Sequence, residues 1–504
     1  MGNNNRQIAL PLLLSTILII GLLAGNFLSK KEGLDFFGKN HLSPYQQVVE
    51  LVRSYYVDPI NIDSLQANTI QDLLKELDPH SYYLTAAEVQ ESSEQLGGQF
   101  EGIGVEFSIF SDTATLIYVF PNGPGEKAGL QSGDQLISVN NNSLIKKNLS
   151  TDTLRAAIKG KSGTIANLKI RRNGSFLEIP VTRGAIALPA VEAAYMLTSS
   201  TGYIRIEKFS ETAYKEFMKK LEWLKKSGMK NLVIDLRGNG GGLLKEAVDI
   251  ADELIDNKKL IVYTKGDKIG KKEYRAERPG QFEKGNLSIL IDEYSASASE
   301  VVAGAVQDWC RGKIIGQTSY GKGLVQEEYS LPDGAAVRLT VARYFTPLGR
   351  CIQQPYLKID SIKKVAPFIN PCKDTLYASN GINPDIPIYT ERDTMLYDSK
   401  KIRIALTQLT PFCFKFYKTW NQEFQKLNDP SAFLSNIFLQ TQLQKTWDEW
   451  ISTTLNSIPT ASENKYLKER MLATLVRLKW REDGFYQILN SFDPAIKEAI
   501  NITQ

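Results

Sequence analysis

Apolar strands alternate with amphipathic helices in the middle of the chain, and this pattern restricts the fold more than any other feature. TGYIRI (201–206), NLVIDL (231–236) and LSILID (287–292) are strand-like, and helical periodicity fills ETAYKEFMKKLEWLKKSG and LLKEAVDIADELID between them. Because the second and third of these strands are mostly apolar, they are typical of a sheet buried on both faces. The pattern predicts an α/β core, which we place at residues 186–390.

A β-rich module is predicted at residues 99–185, preceding the core or inserted in it. Short alternating runs such as GVEFSIF, TLIYVF and QLISVN are separated by the turn sequences PNGPG, SGD and RNG. Period-two alternation between Gly- and Asn-rich turns indicates short strands. A linker and a helical region are predicted at 30–98, and a helical extension without a chemical motif at 391–504.

The N-terminus carries an almost unbroken apolar stretch at residues 8–28. About 20 apolar residues span the hydrocarbon of a bilayer, the stretch is longer than the apolar part of a usual signal peptide, and no clear small-residue cleavage site follows. Residues 1–29 therefore predict a membrane anchor, with a cleaved signal peptide or a buried core helix as alternatives. Either export interpretation places the chain from about Lys30 in the periplasm or elsewhere outside the cytoplasm, and an anchor would lie in the inner membrane.

Composition argues against several classes of function. Lys and Arg number 60 against 56 Asp and Glu, so no basic surplus favours nucleic acid. The two histidines, His41 and His80, lie outside the α/β region and are predicted to be surface or capping residues, which disfavours a His-based triad and most metal sites. The four cysteines form no CxxC pair; a Cys351–Cys372 disulfide and four unpaired thiols are both compatible with the sequence.

Three segments of the α/β region carry candidate chemistry. Ser297 lies in YSASASE, where an apolar strand meets a helix, a turn that suits a nucleophile as well as a helix cap paired with Glu300. Lys322 lies between two glycines in SYGKG; close backbone approach would desolvate its amine and lower its pKa, whereas an exposed turn lysine is the alternative. The glycines of DLRGNGGG can offer backbone N–H groups to a phosphate or to an oxyanion.

Together these segments resemble the carboxyl-terminal processing peptidases, or tail-specific proteases. The motifs of that family occur in order over about residues 77–388, and they are LDPHS, DLRGNGGG, SASASE with AGAVQD, YGKGLVQ, LTVARYFTPLGR and GINPDI. A PDZ domain is resembled by the segments GIGVEF and PNGPGEKAGLQSGDQLISVNNNSL. The resemblance implies a crotonase-like core of the ClpP/crotonase type and a PDZ domain, to which the helical regions predicted at the two ends of the chain are added. It also implies a serine endopeptidase that needs no cofactor and no metal.

The resemblance assigns roles to particular residues. It implies Ser297 as nucleophile, Lys322 as general base and Gln326 as the group that holds the lysine. The other residues carried over are the backbone oxyanion donors Ala298 and Gly241 or Gly242, the supporting Asp308, and Ser295 and Ser299 as helix caps. The loop implied to hold a peptide carboxylate consists of Gly102, Ile103, Gly104 and Val105.

The implied partners are exported proteins or peptides with free, apolar C-termini, the membrane through the N-terminal helix, and a second copy or a regulatory adaptor. A PDZ scaffold on an inactive protease fold is a rival hypothesis, and the presence of Ser297, Lys322 and Gln326 argues against it. An acyl-CoA enzyme of the crotonase type is a second rival, which would lack the PDZ segment. The segment 354–380, which carries Cys372, exceeds the family pattern.

We predict that the protein sediments with membranes and resists extraction by high salt, because the apolar stretch at 8–28 would remain in the bilayer. Added protease should reach the bulk of the chain only after the outer barrier is opened. Recovery of a soluble mature form that begins between Asn26 and Lys31 would show instead that the stretch is a cleaved signal.

Overall fold

The computed structural model describes residues 15–21, 44–57, 61–145, 149–256, 258–355, 367–378, 380–389, 400–455 and 459–502. Residues 1–73 and 74–504 form two compact units. The first unit contains a helical segment at 15–21, the helix Pro44–Tyr55 and most of the helix Ile62–Lys75. No helix in the described ranges is both long and apolar enough to cross a membrane. Most of the apolar stretch at 8–28, and His41, lie outside those ranges.

The β-rich module is built on a six-stranded antiparallel sheet. Its main path runs through Val105–Phe110, Thr113–Val119, Gln135–Val139, Ile165–Arg172 and Ser175–Thr182, and Asn142–Ser143 pairs with the third of these. Alternate residues of Ile165–Arg172 are buried, as the alternating sequence predicts. The helices Pro124–Lys127 and Thr151–Ile158 complete the module, and the paired strands Gln99–Gly102 and Gly184–Ala187 lie at its two chain ends.

The core contains a second six-stranded sheet, which is parallel except at its first pair. Its order is Val191–Met196, Thr201–Ile206, Asn231–Asp235, Leu287–Ile291, Lys313–Gly316 and Ile386–Pro387. One face packs on the helices Ala213–Lys226, Leu244–Asp252 and Ala298–Asp308. The other face packs on the C-terminal helix Pro494–Asn501. The predicted α/β sheet with both faces covered is therefore confirmed.

A separate five-stranded sheet lies beside this core. The long strand Ala336–Phe345 pairs with Tyr82–Leu84, Leu324–Ser330 and Leu260–Lys265, and the last of these pairs with Lys272–Arg275. The helix Ala86–Gly97 follows Tyr82–Leu84 along the chain. The sheet thus pairs the strand after the LDPHS motif with Ala336–Phe345, which also pairs with the strand that follows Lys322, although about 240 residues separate LDPHS from Lys322 in the sequence.

The C-terminal extension is helical, as predicted, and it has its own apolar core around Trp447. Its helices before the final one are Lys400–Thr419, Asn421–Gln425, Pro430–Ser435, Ile437–Leu455 and Ala461–Ser491. The last of these is kinked at Arg481, whose φ is 56°. Arg477 and Arg481 both bind the carboxylate of Glu106 in the β-rich module. The extension therefore contacts that module as well as the core sheet.

Of the two cysteine arrangements compatible with the sequence, this structure shows the unpaired thiols. All four are thiols in this structure. The residue beside Cys372 is Cys310, whose Sγ lies 3.1 Å from the Cys372 N–H donor nitrogen. Cys351 forms an isolated backbone bridge with Phe345. The suggested Cys351–Cys372 pairing is therefore wrong for this structure, because the turn that carries Cys372 lies against the end of the helix Ala298–Asp308.

A buried ion pair supports the core behind that helix. Arg350 and Asp308 are 1% and 0% exposed, and Nη2 of Arg350 donates to Oδ1 of Asp308 at 2.6 Å. The second carboxylate oxygen accepts the N–H of Leu348 at 2.8 Å. Asp308 is thus part of the core's packing and hydrogen bonding.

We predict that Asp308→Ala lowers the free energy of unfolding by about 3–5 kcal/mol, because it leaves the guanidinium of Arg350 buried without its carboxylate. Chemical denaturation followed through the aromatic circular dichroism signal measures the change. Glu423→Ala is the control: it removes the exposed pair Lys426–Glu423 and should cost less than about 1 kcal/mol. Equal effects of the two substitutions would contradict a structural role for the Asp308 pair.

Candidate active site

Ser297 lies at the junction of the strand Leu287–Ile291 and the helix Ala298–Asp308, with φ 56° and ψ −112°. Residues other than glycine rarely adopt this conformation, and such strained residues cluster at functional sites. The backbone of the glycine-rich loop approaches it closely. A Cβ on Gly241 would lie 2.9 Å from Cβ of Ser297 and 3.1 Å from N of Ala298, so only glycine fits there.

The other two serines of the motif have different surroundings. Ser295 and Ser299 are fully buried. Oγ of Ser295 donates to the carbonyl of Leu236 at 2.8 Å, and Oγ of Ser299 donates to the carbonyl of Asn239 at 2.9 Å. The expectation that they cap the helix is therefore wrong: both donate to the chain that leads into the glycine-rich loop. Their burial leaves Ser297 as the serine of this motif that lines the cavity.

Lys322 is half-buried, and its amine has a defined partner. Nζ donates to Oε1 of Gln326 at 2.8 Å, and Nε2 of Gln326 donates to the carbonyl of His80. Because that carbonyl accepts only from the NH₂ end of the amide, it directs the amide oxygen toward the lysine. Burial and then the charge of Arg338 lower the pKa of Lys322 below its ordinary value, against the charges of Asp78 and Glu300.

The LDPHS motif explains how the carbonyl of His80 is positioned. The carboxylate of Asp78 accepts the N–H groups of His80 at 2.7 Å and of Ser81 at 2.9 Å, and Oγ of Ser81 at 2.7 Å. Asp78, and not His80, therefore caps this turn, and His80 is half-buried. Burial and then the charge of Lys322 lower the pKa of His80.

Glu300 joins the serine turn to the lysine loop. Its carboxylate is 1% exposed and accepts the N–H groups of Ser297 at 2.8 Å, Gly321 at 2.8 Å and Lys322 at 2.9 Å. It also accepts the hydroxyl of Ser319. Burial raises the pKa of this carboxyl, against the hydrogen bonds, which lower it. Sequence analysis treated Glu300 only as a partner in a helix cap, and the contacts to the lysine loop were not foreseen.

Tyr344 is a second residue that sequence analysis missed. It is 3% exposed, its hydroxyl donates to the carbonyl of Lys322, and the hydroxyl faces the side chain of Ser297. Burial raises its pKa well above the ordinary value, so it remains a neutral donor. It belongs to the motif LTVARYFTPLGR, but no local signal separates it from the other residues of that strand.

The candidate oxyanion donors differ in availability. The N–H of Gly241 is taken by Oδ1 of Asn239 at 2.8 Å, so Gly241 is not free to bind a substrate oxygen. The described residues offer no acceptor to the N–H of Ala298 or of Gly242. Of the two glycines proposed from the motif, the geometry therefore favours Gly242.

A cavity of about 720 Å³ brings these groups together. Ser297, Ala298, Lys322 and Gln326 line it with the glycine-rich loop, and the helix Ala86–Gly97 supplies part of its wall. A hydroxyl, an amine of lowered pKa and free N–H groups at a helix start can together carry out acyl transfer.

The four residues expected to bind a peptide carboxylate lie at one edge of the β-rich module. Gly102 pairs with Gly184, Ile103 is buried, and Gly104 has a φ of 72°. Val105 begins the strand Val105–Phe110, which ends the path of the six-stranded sheet. An edge strand is what addition of a peptide strand requires.

Comparison with known proteins finds two matching family models and several relatives. A family model of peptidase family S41 matches residues 200–362, and one of the PDZ domain matches residues 117–172. A probable CtpA-like serine protease of Staphylococcus epidermidis is 32% identical over 334 residues, which cover 66% of this chain and 67% of the relative. The carboxy-terminal processing protease CtpB of Bacillus subtilis is 33% identical over 314 residues, 61% and 65% of the two chains.

A solved structure of the photosystem II D1 C-terminal processing protease is 25% identical, covers 69% of this chain and 87% of its own, and has a TM-score of 0.37. Fold, site and sequence relatives define a serine peptidase with a PDZ domain. The chain belongs to the carboxyl-terminal processing proteases of peptidase family S41.

We predict that Glu300→Gln lowers kcat about 10- to 100-fold, because an amide offers one acceptor oxygen and cannot satisfy all the donors that converge there. Steady-state cleavage of an unfolded peptide measures the loss. Glu293→Gln, at an exposed position in the same motif region, should leave kcat unchanged. Activity of Glu300→Gln equal to that of the parent would rule out a need for this carboxylate.

Proposed function

We propose that this protease cleaves exported proteins by a Ser-Lys acyl-enzyme mechanism after its PDZ domain has captured an apolar C-terminus. The observation that carries the proposal is the shared cavity of Ser297 and Lys322, in which the amine is held by Gln326 and partly desolvated. The same proposal gives the core a crotonase-like fold and places the protease outside the cytoplasm. A second copy or an adaptor as partner stays a prediction.

In the proposed first step, neutral Lys322 takes the proton of Ser297 while the serine oxygen attacks a peptide carbonyl. The N–H groups of Ala298 and Gly242 receive the developing oxyanion. The ammonium then protonates the leaving amine. Water activated by the same lysine hydrolyses the acyl-enzyme and restores Ser297.

The amide of Gln326 suits this cycle because it holds the amine without a charge. A carboxylate in its place would stabilise the ammonium and raise the pKa of Lys322, which works against a base near neutral pH. The carbonyl of His80 keeps the amide in the required orientation. The proposed Ser-Lys dyad thus depends on hydrogen bonds to groups that carry no charge, the amide of Gln326 and the carbonyl of His80.

The PDZ domain is proposed to supply substrate selection. Addition of a peptide to the edge strand Val105–Phe110 would place its carboxylate near Gly102–Val105. The contacts of Arg477 and Arg481 with Glu106 lie on that same strand. An inactive PDZ scaffold is the rival function, and loss of cleavage in a dyad variant separates the two.

We predict that Ser297→Ala and Lys322→Ala each lower kcat at least ~10³-fold, because nucleophile and base act as one unit. Lys322→Arg should be equally inactive, since a guanidinium keeps the charge but cannot accept a proton at any accessible pH. In the parent enzyme kcat/KM should rise with pH through the lowered pKa of Lys322 and stay high above it, because the working form is the neutral amine.

A pH series of cleavage rates on an unfolded peptide with an apolar C-terminus measures both effects. Lys268→Arg, at a lysine whose side chain is 94% exposed, is the matched control and should cleave as the parent does. Cleavage by Lys322→Arg at more than a few per cent of the parent rate would refute the general-base role. Binding of the peptide without cleavage by the parent enzyme would favour the scaffold.

A further inference from the structure

Two cysteines that are distant in sequence lie side by side in the domain that carries Ser297 and Lys322. The N–H of Cys372 donates to Sγ of Cys310 at 3.1 Å. Cys310 is half-buried and has a φ of 54°, and Cys372 is exposed. Neither residue takes part in the proposed catalysis, and Cys372 belongs to the segment that exceeds the family pattern.

The surrounding contacts hold these two thiols together. Cys310 follows the helix Ala298–Asp308, and Cys372 lies in the turn between the strands Phe368–Ile369 and Thr375–Leu376. Nδ2 of Asn370 donates to the carbonyl of Gln307 at 3.4 Å, which ties the turn to the helix end. The turn is closed by the N–H of Asp374, which donates to Oδ1 of Asn370 at 2.8 Å.

We propose that Cys310 and Cys372 form a disulfide under oxidising conditions and so fasten this hairpin to the helix that begins at Ser297. Each thiol loses its hydrogen and one S–S bond forms. The two electrons and two protons pass to a disulfide oxidant, such as oxidised glutathione or a disulfide-carrying oxidoreductase, which becomes two thiols. Export to an oxidising compartment would supply these conditions.

The accessibility of the two thiols determines the order of exchange. Exposed Cys372 attacks the oxidant first, and Cys310 then displaces the leaving thiol from the mixed disulfide. Burial and then the neighbouring Cys372 thiol raise the pKa of Cys310 to about 12. The second step therefore accelerates as the pH rises and more thiolate forms. Cys413 is fully buried in the helical extension and is out of reach of the oxidant.

The crosslink would stabilise the chain on both sides of the hairpin. Before it, the N–H of Gln354 donates to the carbonyl of Gly321 at 2.8 Å; after it, the N–H of Ile382 donates to Oγ of Ser319 at 2.7 Å. Both contacts hold the loop of Lys322. A link between positions 310 and 372 encloses that loop and restricts the unfolded chain, which favours the folded core.

The test uses the full chain, reduced and then equilibrated in buffers with an increasing share of oxidised glutathione. Remaining thiols are blocked by alkylation and the protein is mapped by mass spectrometry. We expect a linked peptide that contains Cys310 and Cys372, and a thermal midpoint about 5 °C higher than that of the reduced protein. Cys351→Ser should keep both results, whereas Cys310→Ser should abolish both.

Three outcomes would overturn the proposal. These are a link from Cys372 to Cys351, persistence of both thiols in fully oxidised glutathione, and a glutathione adduct on Cys372 that never resolves to Cys310. Peptide mapping detects the crosslink without any cleavage assay. Failure of the disulfide proposal can therefore be distinguished from failure of the proposed proteolytic function.

Discussion

The carboxylate of Glu300 is the contact on which the arrangement of the site depends. A buried carboxylate is costly unless hydrogen bonds compensate for lost water, and here three backbone N–H groups and one hydroxyl do so. The donors come from the helix start at Ser297 and from the loop at Ser319–Lys322. One carboxylate therefore holds the helix start and the lysine loop in a fixed relative position. The strained backbone of Ser297 is tolerated because the surrounding contacts hold it in that conformation.

The lysine depends on a second chain of contacts from the five-stranded sheet. Asp78 shapes the turn that presents the carbonyl of His80, that carbonyl orients Gln326, and Gln326 holds Lys322. The positive charge of Arg338 adds to burial in keeping the pKa of Lys322 low. Pairing of Tyr82–Leu84 with Ala336–Arg338 brings these parts together. An N-terminal motif thus acts on the base through sheet pairing.

The C-terminal extension closes the core and reaches the PDZ domain. Its last helix covers the sheet face that carries Tyr203, Val233 and Leu290. Burial alone would raise the pKa of Glu106, but the charges of Arg477 and Arg481 outweigh it and hold that pKa below its usual value. This contact lies at the kink of the helix Ala461–Ser491. The same helix therefore belongs to the core of the extension and holds the edge strand of the PDZ domain through Glu106.

The sequence by itself determined the elements and the chemistry carried by motifs. Strand periodicity and turn residues predicted the β-rich module and the covered sheet, and the motif order predicted the family together with Ser297, Lys322 and Gln326 as candidates. These signals are local, since each depends on a few adjacent residues. Only the tertiary structure decided which groups meet: Tyr344 with Lys322, Glu300 with Gly321, and Cys310 rather than Cys351 with Cys372. The physical reason is that such contacts follow from sheet register and chain reversal between distant segments, which no local pattern encodes.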